Sequence, residues 1–255
     1  MEYPQLKNKK CIVFDLDGTL ALSKQAIDVE MAKLFSELLK KKLVAIVSGG
    51  TVDQMELQDV NRLPPDTFLN NLHLFPTNGS AYYRFDGKEW LEVYKEALLN
   101  EEKEKIKQAF TIAQNVASIS EIIPTKTFGE VLEDRTTQMT FSALGQQAPL
   151  DQKSAWDPDM KKRTAIKNIL DPLLPEFSVR IGGATSIDVT RKGIDKAYAI
   201  GKICQYLKLS KEDLGFVGDA IFPGGNDYAA LQAGVESVKV ENVEETKNII
   251  KYIIL

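Results

Sequence analysis

The chain is poor in the residues that most often announce a chemistry. It has two cysteines and one histidine among its 255 residues. Cys11 opens an apolar strand and Cys204 falls in a helical pattern, so both read as small buried hydrophobes rather than as a disulfide or a thiol nucleophile. His73 lies in an apolar strand and reads as a packing residue. Neither charge sign dominates: 32 basic residues face 36 acidic ones, a formal net charge of −4. That excludes a broad basic surface for nucleic acid. No apolar run approaches the ~20 residues needed to span a bilayer. The stretch Met1–Lys10 is polar and lacks the apolar region of a signal peptide. The expected location is cytoplasmic, with no membrane partner. Internal repeats and low-complexity tracts are missing as well.

What is present is an ordinary apolar fraction of 44%, in a length that suits one large domain or a core with an insertion. Two short stretches stand out. One is Phe14-Asp15-Leu16-Asp17-Gly18-Thr19-Leu20, the other Phe216-Val217-Gly218-Asp219-Ala220-Ile221-Phe222-Pro223-Gly224-Gly225-Asn226-Asp227. In each, an apolar run ends abruptly in carboxylates and glycines. A buried parallel strand looks like this when it delivers acids to the carboxyl edge of a sheet, where open α/β folds bind ligands.

The rest of the chain agrees. Cys11–Phe14 is a wholly apolar strand. Gln25–Lys42 carries Ile27, Met31, Leu34, Leu38 and Leu39 at helical spacing. Leu43–Val47 is a second buried strand and ends at Ser48-Gly49-Gly50. Val52–Val60 reads as a helix stopped by Pro64-Pro65. Leu72–Phe75 is a third strand, closed by Pro76 and Asn78-Gly79. Alternating strand and helix predicts a parallel, doubly wound sheet. A hairpin around Asp86-Gly87 then breaks the order. It is followed by a charged helix over Tyr94–Val116, strand character around Gln138–Phe141, a helix over Lys161–Leu170 ending before Asp171-Pro172, and strands at Phe177–Ile181 and Thr185–Thr190. Residues 84–186 therefore read as an inserted α+β domain, and residues 1–83 and 187–255 as one core. The parallel pattern resumes with a helix at Asp195–Leu207, strands at Gly215–Val217 and Ser237–Val240, a helix at Asp227–Ala233 between them, and a closing helix.

Asp15 and Asp17 lie one residue apart at a strand end. One carboxylate can attack an electrophile while the other handles protons. Adjacent carboxylates repel unless a cation offsets them. With Asp219 as a third ligand, the oxygen-only donor set suits Mg²⁺. Lys196 starts a helix and can hold an anion by charge and helix dipole together. Ser48-Gly49-Gly50 offers a hydroxyl and backbone N–H groups to an anion. Taken singly, each fragment is bland: a solvated turn, a helix cap, a surface lysine. Their common placement at strand ends and a helix start turns them into a phosphoryl-transfer site.

This set resembles the haloacid dehalogenase superfamily of phosphotransferases across essentially the whole chain. Asp15-Leu16-Asp17-Gly18-Thr19 is similar to its first motif, Ser48 to its second, Lys196 to its third, and Gly218-Asp219 with Gly225-Asn226-Asp227 to its fourth. The resemblance implies an α/β fold: a doubly wound, Rossmann-like parallel-sheet core with an inserted type IIB α+β cap that selects substrate. It implies that Asp15 is a nucleophile forming an aspartyl-phosphate and Asp17 the general acid/base. Ser48, Gly49, Lys196 and Asn226 would bind the transferring phosphoryl group. Asp15, the Asp17 carbonyl and Asp219 would bind Mg²⁺, with Asp227 supporting the metal's water shell.

Within the superfamily, the nearest likeness is to eukaryotic-type phosphomannomutases. It is carried by Ser48-Gly49-Gly50, Phe75-Pro76-x-Asn78-Gly79, Ile181-Gly182-Gly183-x-x-Ser186-Ile187-Asp188-Val189, Gly193-x-Asp195-Lys196 and Pro223-Gly224-Gly225-Asn226-Asp227. Arg135 matches the first cap arginine of that family, and Ser186 with Asp188 its sugar-contacting pair. A second arginine should follow Gly145, where this chain has Gln146. The third has no clear counterpart between Gln147 and Trp156. Arginine recognises phosphate bidentately and glutamine does not. Arg180 shares strand parity with Ser186 and Asp188 and is a candidate replacement. Gln138 and Thr140 share a face of the cap strand and are candidates for touching a hydroxylated substrate. The expected partner is a small phosphorylated metabolite of the sugar-phosphate class. The resemblance leaves a homodimer through the cap open. On these residues hydrolysis of a sugar phosphate is the leading reading, and a phosphohexomutase acting on mannose or glucose phosphates the runner-up. A non-catalytic phospho-ligand module stands third, because binding alone needs neither nucleophile nor acid/base.

Overall fold

The structure, a computed structural model, describes residues 3–255. Its strands are β1 (Cys11–Phe14), β2 (Leu43–Val47), β3 (Leu72–Phe75), β4 (Ala81–Phe85), β5 (Trp90–Lys95), β6 (Leu132–Asp134), β7 (Gln138–Ser142), β8 (Phe177–Ile181), β9 (Ser186–Arg191), β10 (Leu214–Gly218) and β11 (Glu236–Lys239). The helices are α1 (Pro4–Lys7), α2 (Val29–Leu39), α3 (Val52–Gln58), α4 (Asn100–Gln114), α5 (Ala117–Ser120), α6 (Leu150–Trp156), α7 (Lys161–Leu173), α8 (Lys196–Leu207), α9 (Tyr228–Gln232) and α10 (Val243–Ile254). Among the described residues no helix is long and apolar enough to cross a membrane.

One compact unit comprises residues up to Lys95 together with Ile194–Leu255. Its sheet runs β11-β10-β1-β2-β3-β4-β5. The first five of these pair in parallel, and β4 and β5 add antiparallel at the edge. The short central strands β1, β2 and β10 are apolar throughout because both faces are covered. Ile12, Phe14, Val44 and Ile46 pack on one side with Met31, Phe35 and Leu38 of α2 and Ile249, Ile250 and Ile253 of α10. Cys11, Val13, Ala45 and Val47 pack on the other with Ala199, Ile200 and Ile203 of α8. Each fully buried Val, Leu, Ile, Met or Phe side chain among these contributes about 1.5–3 kcal/mol. From β1 the chain proceeds outward through β2 and β3, then returns to the opposite flank through β10 and β11. The order therefore reverses at β1, and ligands of such sheets bind at the carboxyl ends beside that reversal.

The second unit is Glu96–Gly193. Its antiparallel sheet runs β6-β7-β9-β8. Alternation along the strands gives it one apolar face: Met139, Phe141, Ile187, Val189 and Val179 pack with Ile106 and Phe110 of α4 and Ile166 and Leu170 of α7. Phe110 and Phe141 stack with centroids 5.0 Å apart. The other face is polar, carrying Gln138, Thr140, Ser142, Ser186, Asp188, Thr190 and Arg180.

The α/β class and the doubly wound core stand as read from the sequence. The units divide elsewhere than at 83/84 and 186/187. The hairpin of β4 and β5 pairs onto β3 and so extends the core sheet to Lys95. Conversely, β9 pairs with both β7 and β8, which keeps residues through Gly193 in the second unit. Several helices also differ. The charged helix expected over Tyr94–Val116 begins only at Asn100, because Tyr94 and Lys95 pair in β5. The short α1 and α5 were not read from the sequence. α6 had no sequence signal strong enough to mark it. α7 continues through Pro172 to Leu173, because only its last turn would need the proline's missing N–H.

Candidate active site

Lys196 owes its place to a cap. Asp195 is the N-cap of α8, and its carboxylate accepts the Tyr198 N–H at 3.0 Å. Lys196 is therefore the first helical residue. Its side chain is buried, with 1% exposed, and its ammonium donates to Asp15 Oδ1 at 2.5 Å and to Asp227 Oδ1. Asp15 directly follows β1, its N–H donating to Val217 O on β10 at 3.0 Å. Asp227 is fully buried, and its Oδ2 accepts the Ala220 N–H at 2.9 Å. Two glycines make room for this packing. A Cβ on Gly18, which has φ +85°, would stand 2.6 Å from Asp219 Oδ2, and one on Gly218 2.4 Å from Asp227 Oδ2.

Asp15, Asp219 and Asp227 each offer an oxygen within 4.8 Å of the others. Burial is the largest influence on Asp15 and pushes its pKa up. The Lys196 ammonium pulls it down, Asp227 and Asp219 push it up further, and the net direction is upward. Asp219 is raised too, by burial first and Asp227 next. Burial alone would lower Lys196, yet Asp15 and Asp227 together outweigh that and hold it protonated. Three carboxylates against one ammonium leave two negative charges when all are ionised. A divalent cation with hard oxygen ligands fits that deficit.

Asp17 is turned elsewhere. Its Oδ1 accepts the Lys24 N–H at 2.6 Å and lies 3.5 Å from Gln58 Nε2 at the end of α3. Its carboxylate is not part of the Asp15, Asp219 and Asp227 cluster. Ser48, buried at the end of β2, accepts the Gly50 N–H on its Oγ at 3.0 Å and the Asn78 N–H on its carbonyl at 2.8 Å. Gly50 opens toward α3, whose capping box is Thr51 with Gln54. Asn226, next to buried Asp227, is exposed.

In the second unit the polar face is built as a chain of hydrogen bonds. Gln138 Nε2 donates to Thr140 Oγ1 at 2.8 Å, and Thr140 Oγ1 donates to Asp188 Oδ1 at 2.8 Å. Across β9 and β8, Asp188 pairs with Arg180, whose Nε donates to Ser178 Oγ at 3.1 Å. Arg135 follows β6, with its Nε 2.8 Å from Glu133 Oε2. Ser186 is buried at the start of β9. Two buried cations here were not singled out in the sequence. Lys153, on α6, donates to the Gln146 carbonyl at 2.7 Å, and the Gln146 Nε2 is itself buried without a partner. Arg163, on α7, pairs with Asp157. Nothing in the sequence separated either from the exposed Lys161 nearby. His73 packs as expected, with Nδ1 2.9 Å from the Tyr82 hydroxyl.

Solved structures share this fold. A haloacid dehalogenase-like hydrolase from Bacteroides thetaiotaomicron superposes with a TM-score of 0.62 at 18% identity, over 94% of this chain and 92% of that one. An N-terminally truncated Plasmodium falciparum IMP-nucleotidase superposes with a TM-score of 0.70 at 17% identity, over 96% of this chain and 70% of that one. At such identities the likeness is one of fold. It shows a haloacid dehalogenase-like α/β fold. A family model for eukaryotic phosphomannomutase matches residues 31–255. A phosphomannomutase of Spinacia oleracea is 32% identical over 222 residues, 85% of this chain and 84% of that protein. Phosphomannomutase 2 of Dictyostelium discoideum is 31% identical over 231 residues, 88% of this chain and 87% of that protein. The chain belongs to the eukaryotic phosphomannomutase family.

Proposed function

We propose that this protein is a Mg²⁺-dependent phosphohexomutase, with mannose phosphates as the first substrates to test, working through an aspartyl-phosphate on Asp15. The carrying observation is the Asp15–Lys196–Asp227 cluster beside Asp219 at the reversal point of the sheet, in a chain of the phosphomannomutase family. The named relatives support a mutase better than the phosphatase that the missing arginines first favour.

Asp15 Oδ attacks phosphorus, the P–O bond to the sugar breaks, and the leaving oxygen takes its proton from the Asp17 carboxyl. In the reverse half-reaction, Asp17 removes the proton from the other sugar hydroxyl. That oxygen attacks the aspartyl-phosphate and Asp15 leaves. Lys196 and Ser48 hold phosphoryl oxygens throughout. Mg²⁺ bound by Asp15, Asp219 and the Asp17 carbonyl would offset charge on the phosphoryl group. Arg135, Ser186 and Asp188 contact the sugar and its second phosphate. Lys153, beside Gln146, supplies positive charge where arginine is missing.

The phosphatase remains the second reading, favoured by Gln146 itself. A single-turnover experiment with a hexose 1,6-bisphosphate separates the two. A mutase releases both the 1- and the 6-monophosphate while its own mass rises by one phosphoryl group. One monophosphate isomer with stoichiometric inorganic phosphate and no isomerisation would overturn the mutase reading.

A further inference from the structure

Arg163 is a buried cation of the second unit with partners on both its own segment and a distant turn. It is 5% exposed, and Asp157 is 2% exposed. Its Nε donates to Asp157 Oδ2 at 2.8 Å and its Nη2 to the Asp157 carbonyl at 2.8 Å. Asp157 is fixed in turn by the backbone N–H groups of Lys162 and Arg163, at 2.9 and 3.0 Å. The remaining arm of the guanidinium, Nη1, reaches out of α7 to the turn between β8 and β9. It donates to the Gly183 carbonyl at 2.5 Å and lies 3.5 Å from the Gly182 carbonyl. A buried arginine has no acceptor of its own, so its five N–H groups must be met by others. Here they go to the carboxylate and carbonyl of Asp157 and to the backbone of a single turn.

That turn touches Asp188. The Gly182 N–H donates to the Ser186 carbonyl at 2.9 Å, and the Ser186 N–H to the Gly183 carbonyl at 3.2 Å. The Gly183 carbonyl thus accepts from both Arg163 and Ser186. Gly182 also lies against the Asp188 carboxylate: a Cβ there would stand 2.8 Å from Asp188 Oδ2 and 3.4 Å from Ser186 Cβ. On its other side, Asp188 Oδ1 is held by Thr140.

We propose that Arg163 is a positioning residue for Ser186 and Asp188, acting through the Gly182-Gly183 turn. The inference rests on the reading that Ser186 and Asp188 meet the sugar. Arg163 pins the carbonyls of the turn, the turn fixes the start of β9, and the glycine backbone forms one wall against which Asp188 lies. The orientation of the sugar-contacting carboxylate then depends on a guanidinium that never meets substrate.

The test compares two substrates on the Mg²⁺-loaded protein. Arg163→Met should raise KM for mannose 6-phosphate by about tenfold or more, since a misplaced contact group weakens binding of the sugar. Hydrolysis of p-nitrophenyl phosphate, which has no sugar to contact, should change by less than about twofold. Arg163→Lys, able to reach one carbonyl, should recover part of the lost affinity. Gly182→Ala perturbs the wall without touching Arg163 and should raise the same KM, so the inference stays testable if Arg163→Met does not fold. Equal losses on both substrates, or an unchanged KM in Gly182→Ala, would overturn the positioning role. Asp188→Asn run alongside separates the two claims. If it raises KM while the turn variants do not, only the positioning role fails. If it leaves KM unmoved, the sugar-contact reading fails and this inference with it.

Discussion

Lys196 Nζ stands 2.5 Å from Asp15 Oδ1, and the same ammonium is bonded to Asp227. A buried lysine between two buried aspartates is stable only as a unit. Removing one partner of a buried ion pair typically costs ~3–5 kcal/mol. Lys196→Met should therefore lower the melting temperature markedly in chelator. Added Mg²⁺ should restore more stability to the variant than it gives the parent, because the cation then replaces a missing positive charge. Calorimetry with and without Mg²⁺ measures this. An unchanged melting temperature in chelator would show that the cluster carries no net interaction.

Asp15→Asn keeps the shape of the side chain but removes the nucleophile. Turnover should fall below detection, as should phosphorylation of the protein seen by intact mass. The fold should remain, as judged by circular dichroism. Substantial residual turnover would take the nucleophilic role from Asp15. Asp17→Asn should instead cost ~10²–10⁴-fold, the usual worth of general acid–base catalysis.

Stability should carry two opposed pH dependences. Burial lifts Asp59 to about 7 from its ordinary 3.8, with both carboxylate oxygens unpartnered. Between those values the folded state holds a proton that the unfolded state has lost, so stability falls as pH rises. Burial, aided by Arg84, lowers His73 to about 4 from 6.5. There the unfolded state holds the extra proton, and stability rises with pH. The windows overlap from about 4 to 6.5, where each slope is at most ~1.4 kcal/mol per pH unit. Asp59→Asn should make the slope of stability against pH more positive than in the parent, and His73→Gln more negative. Denaturant titrations across this range decide it. Identical slopes in all three proteins would contradict both shifts.

The core was legible because its chemistry sits where apolar strands end. Asp15, Ser48 and Asp219 follow β1, β2 and β10, and each strand is a short run that only a sheet covered on both faces would bury. The second unit was less legible. Its boundaries were missed because the hairpin at Asp86-Gly87 looks the same whether it starts an insertion or finishes a sheet. Pairing to Leu74 and His73 decides that, and pairing is nonlocal. Lys153 and Arg163 were invisible for a related reason. A lysine or arginine on a charged helix reads as solvated until its partners, Gln146 and the Gly182-Gly183 turn, are brought to it by the fold.

Gln146 and Lys153 offer a graded test of phosphate recognition. Gln146→Arg should tighten binding of a hexose bisphosphate, with a charged hydrogen bond worth ~1.5–3 kcal/mol. Lys153→Met should weaken it. Isothermal titration with hexose 1,6-bisphosphate on the Asp15→Asn background avoids turnover. Unchanged affinity in both variants would remove this segment from the binding site.

The central claim is that the phosphoryl group returns to sugar rather than passing to water. The most direct measurement follows mannose 6-phosphate by phosphorus NMR in one reaction containing Mg²⁺ and a catalytic amount of hexose 1,6-bisphosphate. Mannose 1-phosphate and inorganic phosphate are integrated from the same spectra. A phosphohexomutase should form mannose 1-phosphate in large excess until equilibrium, with inorganic phosphate rising slowly. Inorganic phosphate rising in step with substrate loss, without mannose 1-phosphate, would contradict it and make the protein a phosphatase on a mutase fold.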